Sequence, residues 1–261
     1  MKIKTISISP EMATQWLEKN NGNRSVSLVV VKKYARDMQA GRWKLTHQGI
    51  AFYKNGSLAD GQHRLKAIIE SGCTIKMMVA YDIEDDSSIA IDQLRARSNI
   101  DQIKIAGNRW VRADYIAAIR CLVDVSKKYK NLSSSELLII ANQLRPSLEF
   151  VNSNLMKKQY ISSAPVQAAI VLAHFNNENE NRLIFFCHVL NTGLIESNDD
   201  KAAILIRDFL SSNHHVNRLG GKSREIVCLK TQRAIKAFCD KEKISNLICP
   251  KSTIYTIPDF I

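Results

Sequence analysis

The spacing of apolar residues along the chain changes near residue 105. Beyond this point apolar residues recur every three or four positions in five or six segments, as they do along the buried faces of helices. Before it, helical segments alternate with short runs that are typical of strands. The sequence therefore predicts an α+β protein with two domains. These are an N-terminal module with a small mixed sheet and helices over 1–105, and an all-α helical domain over 106–261, with helix starts at Ser134, Ser163 and Asn198.

Turn residues divide the N-terminal module into short elements. Asn55-Gly56 predicts a type I′ hairpin turn, because both central residues of that turn need positive φ. Gly41 and Gly72 are placed to end helices, since glycine adopts the left-handed conformation at a helix C-terminus without steric strain. The predicted order is helix 9–21, helix 27–40, strand 50–53, a second hairpin strand after 56, helix 63–71, strand 75–81 and a short helix near 86–95.

Charge and composition restrict the class of protein. The net charge is +12, shared equally between 1–110 and 111–261, which favours an anionic partner such as DNA or a nucleotide. A basic composition that serves only solubility is the alternative. There is no apolar run of about 20 residues and no leader pattern, and the six cysteines never form CxxC. We therefore expect a cytoplasmic protein with reduced thiols and no membrane partner.

The stretch SLADGQHRLKAI, residues 57–68, carries the clearest chemical pattern. Asp60 lies where a strand gives way to a helix, so an N-cap that accepts first-turn amides is one explanation. The other is a phosphate site. The amides and the positive dipole end of that turn favour an anion, Arg64 adds a fork suited to phosphate oxygens, and Gln62 and His63 add donors on the same rim. Spacing alone leaves both explanations open.

The order helix, hairpin, LxDGQHRLxA, helix, strand resembles the ParB/sulfiredoxin superfamily over roughly residues 20–107. There the equivalent turn reads GERRxRA in partition proteins, Gly-Cys-His-Arg in sulfiredoxins and DGHHR in a free-serine kinase. The DGQHR form is similar to proteins of DNA phosphorothioation and related DNA-modification systems, and to many phage or mobile-element proteins. The segments Asn23-Arg24, MQAGRW (38–43) and AIDQLRARSNID (90–101) are similar to the phage-type subgroup.

The resemblance implies a role for each residue of the turn. Gly61, His63 and Arg64 would contact the phosphates of ATP or CTP, with Asp60 acting on Mg²⁺ or on a hydroxyl or water. Asp60 and His63 are thus the catalytic candidates. Gln62 stands where sulfiredoxins have cysteine, which excludes sulfinic-acid repair in its known form. The second arginine of the partition proteins is His63 here, a departure that bears on CTP-driven clamping.

Other candidates carry two interpretations each. Asn23-Arg24 is either a polar loop or a second phosphate or base contact folded over the pocket. Asp92 either forms an ion pair with Arg95 or meets Asp60 to hold Mg²⁺. His47 either faces the pocket or is structural. The basic loop 214–226 either is solvated or contacts the DNA backbone through Arg218, Lys222 and Arg224.

Together these patterns predict a nucleotide-binding, ParB-like protein of phage or mobile-element origin that acts in DNA transactions and hydrolyses its nucleotide slowly if at all. A phosphotransferase or nuclease that uses the DGQHR pocket is the first alternative. A non-catalytic regulator or anti-defence factor is the second. The helical domain would contact DNA, a protein partner or a second copy of the chain.

Overall fold

The computed structural model describes residues 1–21, 23, 25–84, 98–158, 160–212 and 221–260. The chain is α+β and divides into two compact units. The first unit comprises Met1–Asn99 and Asn131–Ser135, and the second comprises Ile100–Lys130 and Glu136–Ile261. The short helix expected near 86–95 lies outside the described residues.

In its described residues, the first unit contains a mixed four-stranded sheet and three helices up to β4. Its elements are β1 (Lys2–Ile8), α1 (Pro10–Leu17), α2 (Leu28–Gln39), β2 (Ile50–Tyr53), β3 (Leu58–Asp60), α3 (Gln62–Ser71) and β4 (Ile75–Ile83). The strand order is β1-β4-β2-β3; β2 runs parallel to β4, and the other two pairs are antiparallel. The sequence did not predict β1, since most of its residues are exposed and carry no clear alternation.

Local signals account for the ends of these helices. The Ser9 side chain accepts the Met12 N–H at the start of α1, and Pro10 occupies the first helical position. Gly72, with φ of 67°, ends α3 in the left-handed conformation that was expected there. Gly41 follows α2 with φ of 66°.

The hairpin turn differs from the expected one. Gly56 has φ of 83°, but Asn55 is not in the positive-φ region, so the turn is not type I′. The Gly56 N–H donates to the Tyr53 carbonyl and the Tyr53 N–H donates to the Ser57 carbonyl. This is a three-residue loop with glycine at its left-handed position, in which only one residue needs positive φ.

The core of the first unit lies between the sheet and its helices. Phe52 of β2 packs edge-on against Trp16 of α1 and stacks on Tyr81 of β4. Leu65 and Ile68 of α3 are fully buried in the same cluster. This packing fixes α3 against the sheet, and the start of α3 is therefore held at the end of β3.

The described residues of the second unit form α-helices joined by loops, with no strands, and the α-helices outnumber the five or six segments expected. They are α4 (Asn99–Ile105), α5 (Ala113–Ser126), α6 (Ser134–Gln143), α7 (Arg145–Asn154), α8 (Ala164–Phe175), α9 (Glu180–Thr192), α10 (Lys201–Ser212) and α11 (Lys222–Cys239), with the first residues of α4 and α6 counted in the first unit. The helix α8 is buried on nearly every side and packs against α5, α7 and α11.

No helix among the described residues combines the length and apolar composition needed to cross a membrane. The six cysteines all lie in the described part of the chain and carry free thiols. Cys121, Cys187 and Cys228 are buried, and burial raises the pKa of Cys187 to about 12. A buried thiol of this kind stays protonated at neutral pH and behaves as a small apolar side chain.

Candidate functional site

The turn between β3 and α3 is built on Gly61. Its φ is 109°, and a Cβ at this position would lie 2.5 Å from Ile50 Cδ1. Glycine is required here both by the backbone conformation and by the close approach of β2. Gly61 is the N-cap of α3, and Asp60 is the last residue of β3, so the expected N-cap position of Asp60 is wrong by one residue.

The carboxylate of Asp60 has two partners in this turn. Oδ1 accepts the Gly61 N–H at 2.6 Å, and Oδ2 accepts from Nη2 of Arg64 at 3.2 Å. Arg64 also donates through Nε to the Gln48 carbonyl at 3.4 Å, and only 15% of its side chain is exposed. The guanidinium is thus held in one orientation at the first turn of α3 by a strand residue and a loop carbonyl.

His63 connects the starts of two helices. Its Nε2 accepts the backbone N–H of Ser27 at 3.0 Å, and Ser27 is the N-cap of α2. Because Nε2 accepts, the neutral ring carries its proton on Nδ1 and can donate from there. The N-termini of α2 and α3 therefore meet at His63, so two positive helix-dipole ends lie close together.

A cleft of about 710 Å³ opens beside this turn, within the first unit. Asp60, His63 and Arg64 line it, together with the start of α2 and the loop before β2. His47, which the sequence left undecided, is one of the lining residues. The full lining is Ser25, Ser27, Val30, Tyr34, His47, Gln48, Gly49, Ile50, Ala51, Asp60, His63, Arg64 and Ala80.

Three residues that were expected from the sequence to contact phosphate, Asn23, Gly61 and Gln62, are not among those that line this cleft. Gln62 is 5% exposed, and its Oε1 accepts from Asn20 Nδ2 at 3.1 Å. Asn23 Nδ2 donates to Asn20 Oδ1 at 2.6 Å and to the Leu58 carbonyl at 2.7 Å. These two amides therefore attach the loop after α1 to β3 and α3, which is a structural role.

Three expected site residues lie outside the described residues: Arg24, Asp92 and Arg218. The pairing of Asp60 with Asp92 around Mg²⁺ therefore stays a prediction. Among the residues that the structure describes, no group of three or more His, Cys, Asp or Glu side chains is arranged to hold a metal ion.

Lys222 and Arg224, the other two expected DNA contacts, lie in the first turn of α11 in the second unit. Lys222 is exposed and Arg224 is half-buried. Gly221 is the N-cap, with φ of 63°. Cations are disfavoured at a helix N-terminus, so neither side chain is placed there by the helix dipole.

A serine and a histidine also meet in the second unit. Ser147 Oγ of α7 lies 2.9 Å from His174 Nδ1 of α8, and burial lowers the pKa of His174. The ring of His174 packs on Phe150 at a centroid distance of 4.4 Å, and Ser147 is 2% exposed. Because the serine is inaccessible, this pair is a buried structural contact rather than a nucleophile and its base.

The sequence missed several residues of the cleft. Gly49 is the clearest case. A Cβ there would lie only 1.7 Å from the Met78 carbonyl oxygen, so any other residue would prevent the chain before β2 from lying this close to β4. Its signal was a lone glycine just before a strand, which suggests close backbone approach. Tyr34 is half-buried and lines the cleft from α2, and the sequence alone did not single it out.

Comparisons of the chain with protein-family models, with curated proteins and with solved structures found no match. The chain can therefore be classed only by its own fold and cleft. It consists of a compact α+β unit and a compact helical unit. The first unit carries a polar cleft at the start of α3.

Proposed function

We propose that the first unit binds a nucleotide, ATP or CTP, with its phosphates at the start of α3. The observation that carries the proposal is the cleft in which Arg64 and His63 of α3 lie beside the N-terminus of α2. The resemblance of DGQHR to the ParB/sulfiredoxin superfamily implies the same ligand. A cleft of this volume is within the range of small-molecule sites.

Phosphate is the anion that this arrangement suits best. First-turn amides and the dipoles of two helices supply partial positive charge at this end of the cleft. The Arg64 guanidinium adds a full charge in a planar fork that matches two phosphate oxygens. The Gln48 carbonyl accepts from Arg64 Nε, so this contact keeps the side chain at the cleft while its Nη groups change partner.

The geometry favours binding over rapid catalysis. His63 accepts from Ser27 through Nε2, so in this tautomer it is a hydrogen-bond donor to a ligand and not a base. Asp60 becomes available to a Mg²⁺ ion or a water only when Arg64 turns from the carboxylate to a phosphate. Slow hydrolysis, with Asp60 in this role, is the activity that we propose.

The second unit would contribute contacts to DNA, as part of DNA transactions of a phage or mobile element. Lys222 and Arg224 support this, since both basic side chains lie at the exposed start of one helix. Helix N-termini and basic side chains are common contacts to the DNA backbone. A protein partner or a second copy of the chain is the alternative occupant of this unit.

Thermal melting in the presence of nucleotides tests the proposal. ATP or CTP at about 100 times its dissociation constant adds ~2.7 kcal/mol to the folded state, a rise of several degrees in melting temperature for a chain of this size. All four nucleoside triphosphates are measured with and without Mg²⁺, and sodium chloride at matched ionic strength serves as the control. If no nucleotide at millimolar concentration raises the melting temperature above the sodium chloride control, the proposal is wrong.

A further inference from the structure

Part of the cleft lining is an apolar wall that includes the aromatic ring of Tyr34. Val30 and Tyr34 lie one turn apart on α2, so they share a face of that helix. Ile50, Ala51 and Ala80 complete this apolar wall within the sheet. The cleft thus has a polar end at the start of α3 and an apolar side along α2.

The ring of Tyr34 is held in place but not covered. It packs against Trp43 with centroids 5.1 Å apart and planes inclined at 66°. An edge-to-face contact of this kind restricts the orientation of the ring and occupies at most one of its faces. Tyr34 itself is half-buried and lines the cleft, so ring surface remains accessible to a ligand.

The spacing along α2 matches a nucleoside phosphate. Tyr34 lies seven positions after Ser27, whose N–H binds His63. At 1.5 Å per residue the two positions lie about 10 Å apart along the helix axis. This is about the length of a ribose and a base placed end to end, so a ligand with its phosphates at His63 would bring its base to Tyr34.

We propose that Tyr34 is the residue on which the base stacks, and that the cleft therefore selects nucleoside phosphates over inorganic polyphosphates. The inference rests on the proposed function, because it takes the phosphate end of the cleft as given. Stacking uses the π-face that every base has, so it discriminates weakly between bases. ATP and CTP should therefore bind with similar affinities, and the phosphates should supply the common attraction.

The test is calorimetric titration of the full chain with ATP, CTP and sodium tripolyphosphate, using wild type, Tyr34→Ala, Tyr34→Leu and Tyr34→Phe. Tyr34→Phe keeps the ring and is the matched control, and it should bind all three ligands as wild type does. Tyr34→Leu keeps apolar packing against Trp43 but has no π-face. Both Tyr34→Leu and Tyr34→Ala should bind the nucleotides about ten- to a hundredfold more weakly and tripolyphosphate unchanged.

The outcomes separate this inference from the proposed function. If the two ringless variants bind nucleotides as tightly as wild type, or lose tripolyphosphate equally, the role of Tyr34 is wrong while anion binding at α3 stands. If wild type binds tripolyphosphate and nucleotides with the same affinity, the selection for nucleosides is likewise wrong. If wild type binds none of the three, the proposed function fails and the inference fails with it.

Discussion

Asp60 and Arg64 oppose each other in their effect on an anion in the cleft. Arg64 attracts a phosphate, whereas the Asp60 carboxylate repels it and competes for the same guanidinium through its 3.2 Å contact. The side chain of Asp60 is 41% exposed, so this ion pair adds little to stability. If the proposed phosphate binds here, the main effect of the ion pair would be on that ligand, because Arg64 must leave Asp60 to bind it.

Replacing Asp60 with Asn should therefore tighten nucleotide binding in the absence of Mg²⁺. The amide oxygen still accepts the Gly61 N–H, so we expect a melting temperature near that of wild type and a loss of any nucleotide hydrolysis. Removing one repulsive surface charge is worth about 1 kcal/mol, so ATP should bind about threefold to tenfold more tightly. Calorimetric titration without Mg²⁺, with a coupled assay for hydrolysis, measures both effects.

Asp82→Asn is the matched control for this variant. Asp82 belongs to the same unit, its side chain is 42% exposed, and it forms an ion pair with Lys2, but it does not line the cleft. It should leave ATP affinity unchanged. Weaker ATP binding by Asp60→Asn in the absence of Mg²⁺ would contradict the opposition between Asp60 and Arg64.

At the scale of single elements, α11 has two basic residues, Lys222 and Arg224, in its first turn. A positive side chain at a helix N-terminus loses the favourable dipole energy that an acidic residue would gain there. Glu225, in the same turn, pairs with Lys127 at 3.2 Å. The helix dipole therefore does not account for the two cations at the start of α11, and the proposed DNA contact would give them a role.

Charge reversal at both positions should weaken DNA binding and reduce its salt dependence. We expect weak, sequence-independent binding to duplex DNA, about 10⁻⁴–10⁻⁶ M at physiological salt. If Lys222 and Arg224 each neutralise one phosphate, the Lys222→Glu, Arg224→Glu double variant should lower the salt slope by about one unit per contact. Titrations at several salt concentrations measure the slope.

Lys201→Glu has the same change in net charge as Lys222→Glu alone and is compared with that single variant, since Lys201 is also an exposed residue that begins a helix of the second unit. It should leave the slope unchanged. An equal loss of slope in this control would assign the effect to overall charge. An unchanged slope in the double variant would remove α11 from the DNA contact.

Across the whole molecule, features set by neighbouring residues were predictable and features set by distant ones were not. Gly72 ends α3 as expected because a glycine C-cap is a local signal. By contrast, Asn131–Ser135 belongs to the first unit, where Arg36 donates to the Asn131 carbonyl and Ser133 donates to Asp37. Such contacts, 95 or 96 residues apart in sequence, leave no periodic signal near the predicted boundary.

The same difference between local and distant features holds for the candidate site. The DGQHR stretch was predictable because a strand, a glycine and a basic first turn are adjacent in sequence. Which side each residue faces was not, since Gln62 is turned inward by a bond to Asn20 that depends on tertiary packing. Tyr34 and Gly49 join the cleft from other segments, and only the fold brings them to Arg64.

The central claim is that the phosphates of a nucleotide bind at Arg64. The most direct test is calorimetric titration of ATP and CTP into wild type, Arg64→Ala and Lys66→Ala. Lys66 lies on the same helix, is exposed and does not line the cleft, so its removal matches the change in charge. Arg64→Lys serves as a further variant that keeps the charge but lacks the fork.

Arg64→Ala removes a mostly buried side chain and its bonds to Asp60 and Gln48, so we expect about 1–2 kcal/mol of lost stability in a chain that still folds. The account predicts that Lys66→Ala binds both nucleotides as wild type does, that Arg64→Lys binds them more weakly, and that folded Arg64→Ala shows no measurable binding. Wild-type affinity in folded Arg64→Ala would contradict the account.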